Sequence, residues 1–289
     1  MEKLYILPFD HRSNFRKFFG EDAEKIKDYK HLIYEGILWA ITHGAPKEAV
    51  GVLVDEEYGS KILTEAKTDG LRRILTLEKS GVPELELEGG NKFAERLDKW
   101  NPEYGKVLIS YSPNDNSAKN FRVKEKLKMV SEACATRNIK FLLEVLVIKT
   151  EADSDVSAEA FETHLRPELI RTTIREFYAE GIEPQIWKIE GIDDPIELSE
   201  VALVVQSGNR LDRGLVILGR DENKERVENW LRVGATVRGV VGFAVGRTIF
   251  KEPLLKHDNQ EATRAETVAE IGRRYLEYIK IFEVRACKE

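Results

Sequence analysis

Four ionisable residues, Asp10, Lys106, Glu144 and Lys188, stand in or at the ends of otherwise apolar, strand-like runs. An ammonium group is costly to bury unless it is paired or loses its proton, so Lys188, in the segment QIWKIEG, needs a chemical reason. A desolvated lysine amine attacks a carbonyl carbon to form a Schiff base, and a second cation nearby, a part Lys106 can take, lowers its pKa further. When a carbon–carbon bond is cleaved through such an adduct, the iminium accepts the electrons and a carboxylate takes the proton of the substrate hydroxyl. Asp10 and Glu144 suit that work. Plainer alternatives stay open at this level: Lys188 facing solvent or pairing with Glu190, and Lys106 as a solvated lysine after the turn at 101–105.

To converge on one point, these residues need a scaffold that points several strands inward. Apolar runs at 4–10, 51–55, 73–77, 106–111, 141–147, 185–190, 215–219 and 239–245 are rich in Val, Ile and Leu, as strands covered on both faces are. Helical patterns at 25–42, 118–137, 166–180, 195–206 and 222–233 lie between them, and the tail at 261–282 has helical spacing. This alternation over 289 residues predicts a single-domain α/β chain folded as a (β/α)8 TIM barrel spanning 1–289. An open nucleotide-binding sheet fits less well, because the first βα turn, Asp10-His11-Arg12-Ser13-Asn14, has no glycine. The segments 78–104 and 149–163 are expected as long loops at the strand C-termini, able to act as lids.

In barrels, the loops after the seventh and eighth strands often hold a phosphate with backbone N–H groups and a helix N-terminus. Here those strands end in Gly219-Arg220 and Gly246-Arg247, where glycine permits close approach and arginine offers a two-pronged donor. Arg247 is the stronger candidate, since Arg220 can equally pair with Asp221 or Glu222, and a buried ion pair is the plain alternative for both.

The net charge of −6 gives no basic face for nucleic acid or an anionic membrane. Cys134 and Cys287 are far apart and read as reduced thiols, and no apolar stretch reaches membrane-spanning length, so a cytoplasmic protein is expected. The histidines His11, His31, His43, His164 and His257 lie at no metal-binding spacing, so neither metal nor cofactor is expected. Trp39 and Trp187 are most simply core.

The segments LYILPFDHR, VLVDEEYG, KVLISYSP, FLLEVLV, QIWKIEG and VVGFAVGRTIF together resemble the class I aldolases of the tagatose-1,6-bisphosphate type. FDHR and WKIEG are most similar to the aldolase domain of inositol catabolism, which cleaves 2-deoxy-5-keto-gluconate 6-phosphate. The resemblance implies a Schiff base on Lys188, acid/base work for Glu144, a first-strand aspartate at Asp10, a fourth-strand lysine at Lys106 and a phosphate site at Gly246 and Arg247. It implies a phosphorylated sugar as the small-molecule partner. The chain departs from the tagatose-type DQRG at Asp10-His11-Arg12-Ser13, and its seventh strand runs into Gly219-Arg220 where a small Ser-Ala-Gly loop is usual. A tagatose or fructose bisphosphate-type aldolase, a noncovalent sugar-phosphate isomerase and a noncatalytic phosphosugar-binding barrel are the competing readings. A symmetric homo-oligomer is the default assembly.

Overall fold

The computed structural model describes residues 2–220 and 222–286, so Cys287 and Asp221, on which two of the expectations fall, lie outside it. Strands β1 (Leu4–Pro8), β2 (Val50–Val54), β3 (Arg72–Thr76), β4 (Tyr104–Tyr111), β5 (Lys140–Val147), β6 (Ile186–Glu190), β7 (Gly214–Leu218) and β8 (Val240–Ala244) follow the expected runs. All pair in parallel, and β8 returns to β1, closing the expected eight-stranded barrel in sequence order.

Alternate side chains on these strands face opposite ways, which explains why the runs are apolar almost throughout. Ile6, Leu53, Ile74, Leu142, Ile186 and Val216 fill the barrel interior. Their neighbours Leu7, Val52, Leu75, Leu143, Trp187 and Ile217 pack outward against the helices. Each fully buried aliphatic side chain stabilises this arrangement by about 1.5–3 kcal/mol relative to exposure. With the lower interior filled by hydrocarbon, polar groups of the inward rows gather at the strand C-terminal ends. The register sets Glu144 beside Lys188, and Thr76 beside Lys106.

The outer ring contains α1 (Ser13–Phe19), α2 (Ala23–Thr42), α3 (Glu56–Thr68), α4 (Phe93–Trp100), α5 (Ser117–Ala135), α6 (Arg166–Ala179), α7 (Pro195–Val205), α8 (Lys224–Gly234), α9 (Arg247–Asp258) and α10 (Arg264–Ala286). Asp22, Asp55, Asn116, Asp194 and Asn223 start five of these helices by accepting backbone N–H groups of the first turn. Among the described residues no helix is long and apolar enough to cross a membrane.

Four local expectations are corrected. Strand β4 begins at Tyr104, so Lys106 is its third residue and does not open it. Segment 78–104 is not a plain loop: Glu78 bridges to Leu87 in an antiparallel pair, and α4 follows. Segment 149–163 likewise carries short helical turns at Glu151–Asp153 and Ala158–Ala160. Trp187 is fully buried, but Trp39 is only partly covered and stacks on His43 with ring centroids 3.6 Å apart.

Candidate active site

At the C-terminal mouth of the barrel, Glu144 Oε2 lies 2.8 Å from Lys188 Nζ and 3.0 Å from Lys106 Nζ, so one carboxylate oxygen bridges the two ammonium groups. Lys188 therefore pairs with Glu144 and not with Glu190. Lys106 also donates to Asp10 Oδ2 at 2.9 Å and to Glu78 Oε1 at 2.6 Å. From the third position of β4 its long side chain climbs to the level of the mouth, and only 2% of it is exposed. Asp10 is held a second time by the Thr76 hydroxyl, which donates to Oδ2 at 2.6 Å.

Burial alone would lower the pKa of Lys106, but Asp10, Glu144 and Glu78 outweigh it and hold the ammonium well above the ordinary lysine value. Burial would raise the carboxylates Asp10 and Glu144, yet Lys106, with Lys188 behind it, brings both below their ordinary values. Glu78 goes the other way, because burial and the charge of Asp10 raise it against the pull of Lys106. His11 is pushed down to about 4, chiefly by burial and then by Arg247 and Lys188, against the opposing pull of Asp10. Its imidazole is accordingly neutral at pH 7.

Two cavities open beside this cluster and share Glu144, His11, Asn14 and Leu108 as a common wall. The first, about 220 Å3, has Lys188 in its lining and reaches Gly219, Arg220, Gly246, Arg247 and Thr248. The second, about 270 Å3, is lined by Asp10, Arg12, Glu78, Lys106, Ser110 and Lys119 among others. All eight residues singled out from the sequence thus line one of the two cavities or both.

Gly246 caps the N-terminus of α9, and a Cβ there would stand 2.3 Å from the carbonyl oxygen of Pro8, so only glycine lets β1 and α9 approach this closely. The first turn of α9, including Arg247 and Thr248, thereby aims backbone N–H groups and the positive helix end at the first cavity. Arg220 is differently engaged. It adopts a left-handed backbone (φ 48) and sets Nε 2.6 Å from Glu190 Oε1 and Nη1 3.3 Å from Glu162, the ion-pair alternative with partners other than those expected.

Two residues of the site escaped the sequence reading, Glu78 and His11. Glu78 stands two residues past the end of its strand, as Asp10 does, and that position was the available signal. Among the described residues no group of three or more His, Cys, Asp or Glu side chains could hold a metal ion. Cys134 is buried and unpaired, and burial pushes its thiol up to about 12.

The family described as "Uncharacterized protein conserved in bacteria (DUF2090)" matches residues 1–286. The Tagatose 1,6-diphosphate aldolase 1 of Enterococcus faecalis is 24% identical over 197 residues, which are 64% of this chain and 56% of that aldolase. A Tagatose 1,6-diphosphate aldolase of Staphylococcus epidermidis is 23% identical over 201 residues, covering 65% of this chain and 58% of the relative. The matched region is thus less than two thirds of these aldolases' length. A solved structure from Corynebacterium glutamicum superposes with a TM-score of 0.57 at 13% identity, covering 94% of this chain and 85% of that one, a likeness of fold.

Proposed function

We propose that this chain, which belongs to the DUF2090 family of bacterial proteins, is a class I aldolase that cleaves a phosphorylated keto sugar or keto sugar acid through a Schiff base on Lys188. The observation that carries this reading is the placement of Lys188 Nζ, 2.8 Å from a single carboxylate oxygen, in the cavity that Gly246 and Arg247 also line. A phosphate at the start of α9 would lie in the same cavity as the amine that attacks the ketone. The names of the aldolase relatives support the same reaction class. Among substrates we favour 2-deoxy-5-keto-gluconate 6-phosphate, with dihydroxyacetone phosphate and an aldehyde as products, on the motifs FDHR and WKIEG.

The residues divide the work as follows. Glu144 accepts a proton from the Lys188 ammonium, freeing the amine to attack the ketone carbon. It then serves dehydration of the carbinolamine and, as the carbon–carbon electrons move into the iminium, takes the proton of the substrate hydroxyl. Lys106, firmly charged, keeps Glu144 and Asp10 ionised and in place. The Lys188 lone pair forms the C–N bond, water leaves from the carbinolamine, and no oxidant or reductant is needed.

Incubation with dihydroxyacetone phosphate and sodium borohydride tests the reading. One reduced adduct is expected by mass, mapping to Lys188 and absent from Lys188→Arg. An adduct on Lys106, or none under conditions of turnover, would defeat the proposal and favour the noncovalent isomerase.

A further inference from the structure

We infer that Glu78 is a further catalytic residue: its carboxyl donates a hydrogen bond from Oε2 to the oxygen that becomes the carbonyl of the fragment released into the second cavity. The inference rests on the Schiff-base reading. Given that reading, the carbon joined to Lys188 lies in the first cavity and Glu144 stands on the shared wall, so the fragment beyond the broken bond lies beside Asp10, Glu78 and Lys106.

Glu78 is built into this wall and does not swing on a loop. The Lys79 N–H donates to the Glu86 carbonyl at 2.8 Å, and the Glu88 N–H donates to the Leu77 carbonyl at 2.8 Å, making a short hairpin of 77–88. Arg12 pins that hairpin to the end of β1, donating to the Glu78 carbonyl and to the Glu88 carboxylate, each at 2.5 Å. Glu78 itself is only 7% exposed. Its Oε1 accepts from Lys106, but its buried Oε2 has no hydrogen-bond partner among the described residues. An unmatched buried oxygen is costly, and Glu78 lines the second cavity, where a bound substrate can match it.

Charge settles whether that oxygen gives or takes a proton. Three carboxylates face one ammonium at Lys106. Asp10 has the Thr76 hydroxyl and Glu144 has Lys188 as second donors, whereas the Glu78 carboxyl has no side-chain donor besides Lys106 and only its own backbone N–H to add. Glu78 is therefore the member of the three on which a proton is favoured, and since Oε1 accepts, that proton sits on Oε2. Burial and Asp10 raise its pKa in the same sense. The other charged groups around it are Arg12 at the end of β1, Glu144 on β5, Lys119 on α5, and Lys79, Glu84 and Glu88 on its own hairpin.

During cleavage the substrate hydroxyl gives its proton to Glu144 while the carbon–carbon bond breaks into the iminium, and the hydroxyl oxygen becomes a carbonyl. A fixed donor at that oxygen stabilises the alkoxide character of the transition state. Glu78 keeps its own proton, and no bond to it is made or broken. In the condensing direction the same donor polarises the aldehyde.

The test separates the two cavities. Deuterium exchange at C3 of dihydroxyacetone phosphate and borohydride trapping need only the first, whereas condensation of dihydroxyacetone phosphate with D-glyceraldehyde needs both. In Glu78→Leu, exchange and trapping should stay within about threefold of wild type while condensation kcat/KM falls roughly 100-fold. Glu78→Gln keeps an N–H donor and should retain condensation within about tenfold, without the decline wild type shows as pH rises through ionisation of Glu78. Equal losses of exchange and condensation would mean that Glu78 only holds Lys106, and unchanged condensation in Glu78→Leu would remove it from the reaction. If the wild type gives neither adduct nor exchange, the Schiff-base reading itself fails, visibly and without any variant.

Discussion

The two cavities of the barrel mouth share a wall but are built by opposite means. In the first, Lys188 has one carboxylate partner, and the lining includes glycine backbone and a helix start. In the second, Lys106 is locked among three carboxylates, and a hairpin is stapled across the rim by Arg12. A lysine with a single carboxylate partner needs one proton transfer to become a nucleophile. A lysine with three is an internal counter-ion whose removal leaves several buried anions facing one another. Burial of a lysine is thus a poor mark of catalysis by itself. Lys30 is also fully buried, paired with Asp55 and set over the rings of Phe15 and Tyr58 at 4.9 and 5.5 Å, where it joins α2 to the start of α3.

The largest effect expected from this contrast is on stability. Lys106→Met would leave Asp10, Glu78 and Glu144 buried without their common cation, a loss of about 3–5 kcal/mol. Lys188→Met leaves Glu144 still paired with Lys106 and should cost less than about 1 kcal/mol, although it abolishes trapping. Urea unfolding of both variants measures the difference. Equal losses would mean that the two lysines are not distinguished by their partners.

A smaller effect is expected at the other end of the first cavity. Arg247→Ala removes a charged contact that a phosphate feels in ground and transition state alike. KM for the phosphorylated substrate should therefore rise about 10- to 100-fold while kcat changes little. Normal affinity for dihydroxyacetone phosphate combined with a lowered Tm would make Arg247 a structural residue and move the phosphate site elsewhere.

The contrast also explains what could be read without coordinates. Eight apolar runs give the barrel, because parallel strands buried on both faces leave little ambiguity in composition. Lys188, Glu144, Gly246 and Arg247 stand inside or just beyond those runs, so their place at the mouth follows from strand phase. The second cavity depends on longer-range facts. The start of β4 was hidden because Pro102-Glu103-Tyr104-Gly105 looks like a turn, which put Lys106 at the opening of its strand and left a solvated lysine as its plain alternative. Glu78 resembles Asp55, which also stands just past the end of a strand. Only packing reveals that Asp55 caps α3 and holds Lys30 whereas Glu78 faces a cavity.

Titration should sharpen the same distinction by a few degrees of Tm. Asp10 and Glu144 have lowered folded pKa values, so their contribution is present above the ordinary carboxylate range near 4 and is lost as pH falls through the folded values. Glu78 is raised, so its contribution is complete below the ordinary range and is lost as pH rises through its folded value. Glu78→Gln cannot ionise. Its Tm relative to wild type should therefore climb as pH rises above the ordinary carboxylate range, by about 2–4 °C for each pKa unit, which is worth about 1.4 kcal/mol. A flat difference above that range would show that Glu78 titrates normally, and the charge assignment in the second cavity would fall.

The smallest effect expected is none at all, from chelation. The carboxylates that might have gathered a divalent cation, Asp10, Glu78 and Glu144, instead surround the ammonium of Lys106 at 2.6 to 3.0 Å, so an internal cation occupies the point where their oxygens converge. A metal ion entering there would have to displace a lysine that those same carboxylates hold firmly protonated. In the reaction proposed, the iminium on Lys188 is the electron sink, a part that a Lewis-acidic metal plays when no amine is available. Prolonged dialysis against EDTA should therefore leave exchange at C3 of dihydroxyacetone phosphate and borohydride trapping on Lys188 unchanged. Exchange abolished by EDTA and restored by zinc would give the electron-sink role to a metal, and the contrast between the locked and the releasable lysine would lose its chemical meaning.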